Sequence, residues 1–178
     1  SGDAEQKDSV IISLVHDGLS NFHFKPKPIN DDFSEKVMKE YLENLDRNKL
    51  FLIASDVAKL EAYKTKLDDE FNNSSSVFFD LSYDMLIKGR ERAENYYKEI
   101  LASPLDFNVE ESTWNNPEKM PWAKNEKELR DYWRKYIKWR VANRVYNKEH
   151  GVLEDIEKGE EVEPFDFAKA EADARKDE

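Results

Sequence analysis

The sequence predicts an all-α fold, an irregular multi-helix domain of about six or seven helices, two of them long. Three observations carry that expectation. Apolar residues recur at steps of three and four through most of the chain, the spacing of one helical face. Glycine (5) and proline (6) are few in 178 residues, so long stretches run without a breaker. The short apolar run Leu50-Phe51-Leu52-Ile53-Ala54 lacks the polar alternation of a half-buried strand.

In chain order, Asp8 and Ser9 can cap a first helix whose stripe is Val10, Ile11, Leu14, Val15 and Leu19. Lys25-Pro26-Lys27-Pro28 follows as an extended connector, since each proline disfavours helix in the residue before it. Residues 31–72 read as a helix, a turn with an apolar plug, and a second helix. Asn30, Asp31 and Asp32 supply capping oxygens and negative charge, and Phe33, Val37, Tyr41, Leu42 and Leu45 form the buried face. Residues 45–49 end that helix, and Leu50-Phe51-Leu52-Ile53-Ala54 is too apolar for solvent. Ser55-Asp56 is the expected cap of a helix over 57–63, with 64–71 helical again.

Residues 77–101 are expected to form the first long helix, with Phe78, Leu81, Met85, Gly89, Ala93, Tyr96 or Tyr97, and Ile100 on its inner side and Ser103-Pro104 as its stop. Gly89 and Ala93, four apart, allow another backbone to come close. Residues 105–123 are irregular, and Trp114, Met120 and Trp122 are expected to fold back onto the helices rather than stand in water. The second long helix covers 125–150. Leu129, Tyr132, Tyr136, Trp139 and Tyr146 form one stripe, and Trp133, Ile137, Val141 and Val145 another, so both sides are expected to be covered. Gly151 and Val152 read as its C-terminal cap. An acidic stretch then leads to Pro164, which could open a last helix carrying Phe165, Phe167, Ala168 and Ala172. The domain layout is therefore an N-terminal helix (1–24), a helical core (25–153) and an acidic trailing segment with a last helix (154–178).

A net charge of −11 argues against general nucleic-acid binding. Arg134, Lys135, Lys138, Arg140, Arg144 and Lys148 interleave with aromatics, a pattern that can stack on single strands. In so acidic a chain they are expected instead to lie on the protein's own acids or on a neighbouring domain. With no cysteine there is neither disulfide nor thiolate chemistry. His16, His23 and His150 share no metal-ligand spacing, and no phosphate loop, nucleophile elbow or zinc-protease signature occurs. No catalytic, cofactor-binding or metal site is expected, and no cofactor. Ser1-Gly2 reads as a cloning remnant and the charged ending as a chosen boundary, so a leader segment is expected to have been trimmed.

The residues Tyr41-Leu42, Leu45-Asp46, Lys49-Leu50-Phe51-Leu52 and Ser55-Asp56-Val57, in that order, resemble the N-terminal helical region of the bacterial tail-specific, or carboxy-terminal-processing, peptidases. Arg47 stands where that family commonly has proline, Leu50 where it has an aromatic, and Val57 where it has isoleucine. The likeness is strongest over 22–71 and extends through Trp139. It implies that Tyr41, Leu42, Leu45, Asp46, Lys49, Phe51, Leu52, Ser55 and Asp56 are a structural motif. It also implies a parent serine peptidase, periplasmic or in the cell envelope. Its Ser-Lys dyad and a PDZ domain that binds substrate C-termini would both lie downstream. No serine or lysine of this chain sits in a matching catalytic motif. Expected partners are the parent's own PDZ and peptidase domains, with unfolded substrates or an adaptor protein. Trp114, Trp122, Trp133, Tyr136 and Trp139 are the candidate contacts. A stand-alone helical interaction module would give the same periodicity.

Overall fold

The computed structural model describes residues 31–73, 75–112 and 117–178, with backbone alone at 71 and 72. The first expected helix and the Lys25–Pro28 connector, like His16, His23 and Trp114, lie outside the described residues. Among the described residues the chain forms six α-helices and no strand: α1 Asp31–Leu45, α2 Ala54–Glu61, α3 Leu67–Asn72, α4 Val77–Leu101, α5 Glu126–Glu157 and α6 Phe167–Lys176. One 3₁₀ turn, Pro117–Lys119, interrupts the irregular stretch before α5. The fold divides into two compact units. The first comprises Ser1–Arg92 with Asn115–Leu129, the second Ala93–Trp114 with Arg130–Glu178.

The first unit is built around aromatic residues that the α1 and α4 spacings turn inward. Tyr41 and Phe78 rings are 5.2 Å apart, Tyr41 and Phe79 5.5 Å, and Phe78 and Phe79 5.2 Å. Such tilted and edge-on pairs contribute about 0.5–1.5 kcal/mol each beyond their area burial. Met38, Leu42, Leu45, Leu52, Val57, Leu60, Leu67 and Leu86 complete the core. Phe33 and Val37, expected on the buried face of α1, are only half-buried. Ser34 and Met38 take the innermost positions instead.

Two helix starts are fixed by carboxylates. Glu70, 8 % exposed, accepts the Phe78 N–H at 3.0 Å, placing a negative charge on the first turn of α4. Asp56 was expected as a cap, but α2 begins at Ala54 after Ile53. Asp56 lies three residues past Ile53 and accepts the Ile53 N–H at 3.2 Å. It thus supplies the backward half of a capping box. The turn over 62–66 delays α3 to Leu67, where Ser34 Oγ donates to Asp68 Oδ1 at 2.9 Å and accepts the Asp68 N–H at 3.0 Å.

α5 opens on a reciprocal cap. Asn125 Oδ1 accepts the Glu128 N–H at 3.0 Å and Glu128 accepts the Lys124 N–H at 2.6 Å. The helix runs through Gly151 and ends at Glu157, so the expected cap at Gly151 is corrected. An interior glycine costs about 1 kcal/mol, which does not forbid helix. The stop comes at Gly159, whose φ of 79° lets its N–H reach Ile156 O and the Glu160 N–H reach Asp155 O, both at 3.0 Å. Nor is α5 covered on both sides. Trp133, Ile137, Val141 and Val145 are buried, whereas Trp139 and Tyr146 are 49 % and 56 % exposed. The last helix starts at Phe167, capped by Asp166 rather than by Pro164. It buries Ala170, Glu171 and Ala174, and leaves Phe167 and Ala168 exposed.

Candidate functional site

The motif residues of the first unit converge on one carboxylate. α1 ends at Leu45, and Asp46, 3 % exposed, turns back to accept the N–H groups of Leu50, Phe51 and Leu52 at 2.9, 2.9 and 2.8 Å. Burial raises its pKa above the usual aspartate value, and the three backbone donors and nearby Lys49 oppose that rise. The turn needs Lys49 in the left-handed region, φ 54°. That position is strained for a long side chain. Its ammonium bonds the carbonyls of Glu118 (3.3 Å) and Met120 and lies 5.4 Å from the Trp122 ring centre.

The plug that follows is gripped from three directions. Leu52 is fully buried. Phe51 O accepts from Arg92 at 2.6 Å, and the same guanidinium stands 3.6 Å from Asp56 and 3.2 Å from Glu126. Gly89 of α4 lies so close that a Cβ there would sit 2.5 Å from Phe51 O. Beyond the plug, the Ala54 N–H bonds Ala123 O at 2.8 Å, and Trp122 packs on the core, as expected of a folded-back loop. Tyr41 closes the cluster. Its hydroxyl is 2.6 Å from Ser82 Oγ, which donates onward to Phe79 O at 2.8 Å, and burial pushes the phenol up to about 12. A groove of about 590 Å³ opens beside α1, lined in part by Met38, Leu42, Asn44, Lys49 and Trp122, with acids and bases mixed at its rim.

In the second unit the six cations that interleave with aromatics on α5, Arg134, Lys135, Lys138, Arg140, Arg144 and Lys148, are all paired. Glu111 accepts from Arg134 and, at 2.9 Å, from Lys138. The bonds from Arg134 and then Lys138 hold its carboxyl down at about 2. Asp131 takes Arg134 and Lys135 at 2.8 and 3.0 Å. Glu178, its side chain 1 % exposed, takes Arg140 at 2.6 Å together with Arg144 and the Tyr97 hydroxyl, and Lys148 stands 3.7 Å from Asp177. Burial would raise Glu178, but Arg144, Arg140 and Tyr97 bring it below the usual range. The candidate contacts of this unit form an aromatic series. Trp133 meets Tyr97 edge-on at 6.0 Å and Tyr136 at 5.8 Å, and Tyr136 stacks on Trp139 at 6.2 Å. Among the described residues no group of three or more His, Asp or Glu side chains is arranged to hold a metal ion.

These geometries are those of a structural motif rather than of a reaction centre. The family model described as the tail specific protease N-terminal domain matches residues 15–176. The chain belongs to that family. A relative, the tail-specific protease of Haemophilus influenzae, is 31 % identical over 127 residues, covering 70 % of this chain and 18 % of the relative. The chain thus spans about a fifth of the length of the relative it matches.

Within this tail-specific protease N-terminal domain, Tyr41, Leu42, Leu45, Asp46, Lys49, Phe51, Leu52 and Asp56 are joined in the α1–α2 turn and its packing, while Ser55 is exposed. The sequence reading missed Arg92, Ser82 and Glu70. Arg92 and Ser82 lie far along the chain from the groups they serve, and Glu70 hid in an acidic run. Their signal is a charged or polar residue on the apolar side of a helix. Glu70 also lies eight residues before the N–H it caps.

Proposed function

We propose that this domain is the non-catalytic N-terminal helical region of a periplasmic, or cell-envelope, tail-specific serine protease. That enzyme degrades or processes proteins from their C-termini with a Ser-Lys dyad elsewhere in its polypeptide. The domain packs on the PDZ and protease parts and contributes to binding of an unfolded substrate or an adaptor. The observation that carries the reading is the match of residues 15–176 to an N-terminal domain and not to a peptidase domain. Two features support it. Asp46, the motif carboxylate, already accepts three backbone N–H groups and offers no catalytic acid. Trp139 and Tyr146 leave aromatic surface for a neighbour. No described helix is long and apolar enough to cross a membrane.

The test is binding between the 178-residue chain and the separately produced remainder of its parent polypeptide, followed by calorimetry. Saturable association, weakened at least tenfold by Trp139→Ser, is expected. Absence of association between two folded pieces would overturn the packing role.

A further inference from the structure

The outer side of α5 carries an ordered stripe that the folding of the second unit does not use. Trp139, Tyr146 and Leu153 are seven residues apart and so lie within about 40° of one another on the helix, roughly opposite the buried Ile137 and Val141. Ile156, about 60° round from Leu153, ends the seam at the d position after it, the earlier d positions being Ala142 and Glu149. Trp139, Tyr146, Leu153 and Ile156 are exposed, at 49 %, 56 %, 49 % and 52 %. The His150 ring lies one turn on with its centre 3.8 Å from that of Tyr146, tilted by 35°. At about 1.5 Å per residue the stripe runs roughly 25 Å, the length of a helix of about 17 residues.

The charges along this helix are unevenly neutralised. Upstream, Arg134, Lys135, Lys138, Arg140, Arg144 and Lys148 each meet an acid of the same unit. On the side of the helix that carries the distal stripe, the exposed Glu149, Glu154 and Glu157 make no ion pair among the described residues, while Asp155, on the opposite side, meets Lys158 at 4.0 Å. Those six cations upstream on the same helix are each held by an acid of their own unit, which leaves positive charge opposite these three carboxylates for a partner to supply.

We infer that the Trp139–Tyr146–Leu153–Ile156 face docks a basic amphipathic helix of a partner. The partner's apolar residues would enter the seam, and its lysines or arginines would face the carboxylates that flank it. A second copy of this chain fits less well, because two such faces bring like charges together. The inference goes beyond the proposed function and stands on this surface alone.

The probe is a synthetic peptide of about 18 residues, leucine at heptad a and d and lysine elsewhere, long enough to be helical once docked. Its controls are a scrambled peptide of the same composition and one with glutamate for lysine. Titrated against the 178-residue chain by calorimetry, the patterned basic peptide is expected to bind with Kd on the order of 10 μM and to weaken with salt. The scrambled and acidic peptides should bind at least tenfold more weakly. Leu153→Glu and Tyr146→Ser, at exposed positions that leave the helical circular-dichroism signal intact, should each cut patterned-peptide binding at least tenfold. Equal binding of the scrambled peptide would reduce the effect to net charge and overturn the inference. Indifference to Leu153→Glu would do the same, as would a chain dimer, seen by sedimentation, that Leu153→Glu dissolves. Failure here alongside an association with the remainder of the parent that Trp139→Ser still weakens would remove the helix-docking role alone and leave the proposed function standing.

Discussion

Gly89→Ala separates two accounts of that glycine by sign. Were Gly89 merely a poor helix former in α4, alanine would stabilise the domain by about 1 kcal/mol. The structure requires the opposite. A Cβ at this position lies 2.5 Å from Phe51 O, 3.0 Å from Phe51 C and 3.1 Å from its Cβ. The nearest two are backbone atoms of a segment already held by Arg92 and Asp46, so no flexible side chain can swing aside. Overpacking of this kind costs about 1–3 kcal/mol, to which a weakened Arg92–Phe51 bond adds about 1 kcal/mol. Against the propensity gain of about 1 kcal/mol, the net expectation is a loss of about 1–3 kcal/mol. Urea denaturation followed by circular dichroism measures it, with Asn95→Ala and Asn95→Gly, at an exposed position of α4, as the control for helix propensity alone. An unchanged or raised midpoint for Gly89→Ala would refute the close approach of α4 to the plug.

Further predictions concern the carboxylates. Asp46→Ala leaves three buried or half-buried N–H groups without their acceptor and should cost about 3 kcal/mol or more, visible as an early unfolding transition. Asp46→Asn keeps one acceptor oxygen and should cost less. Acid should weaken the second unit through Glu111. Its folded pKa, about 2, lies below the unfolded value, so its contribution is present above the ordinary glutamate range and fades as pH falls towards 2. Asp46, raised by burial, acts in the opposite direction over its own titration. Thermal midpoints taken from pH 6 to pH 3 should therefore fall less steeply in Glu111→Gln than in the parent sequence, and parallel slopes would contradict the assignment.

How far the sequence disclosed this molecule depended on whether the cause was local. α4 was legible to its ends because Ser76 precedes it, Ser103-Pro104 follows it and every apolar step between them fits one helix. The apolar plug and the folded-back Trp122 followed from hydrophobicity alone. Lys49 in the left-handed region was not legible, since the groups that hold its side chain are carbonyls about seventy residues on. The end of α5 was misjudged because Gly151 and Gly159 look alike in sequence. Only Gly159 takes a positive φ. The two apolar stripes of α5 were both visible, but which one the unit would bury depends on tertiary packing. In the candidate site the motif residues were legible as a group through their family resemblance. Their roles, with Asp46 accepting backbone N–H groups and Lys49 donating to carbonyls, appear only when the turn is closed.

The central claim is that this domain serves a protease without taking part in bond breaking. Cleavage by the complete parent polypeptide, with Trp139→Ser and Leu153→Glu combined on the exposed face of α5, tests it most directly. Two substrates are compared, a short peptide and a long unfolded protein ending in the same residues. The account predicts short-peptide kcat within about twofold of the parent and long-protein kcat/KM reduced about tenfold or more. Equal loss of kcat on both substrates, in a polypeptide whose helical signal and thermal midpoint are unchanged, would contradict it.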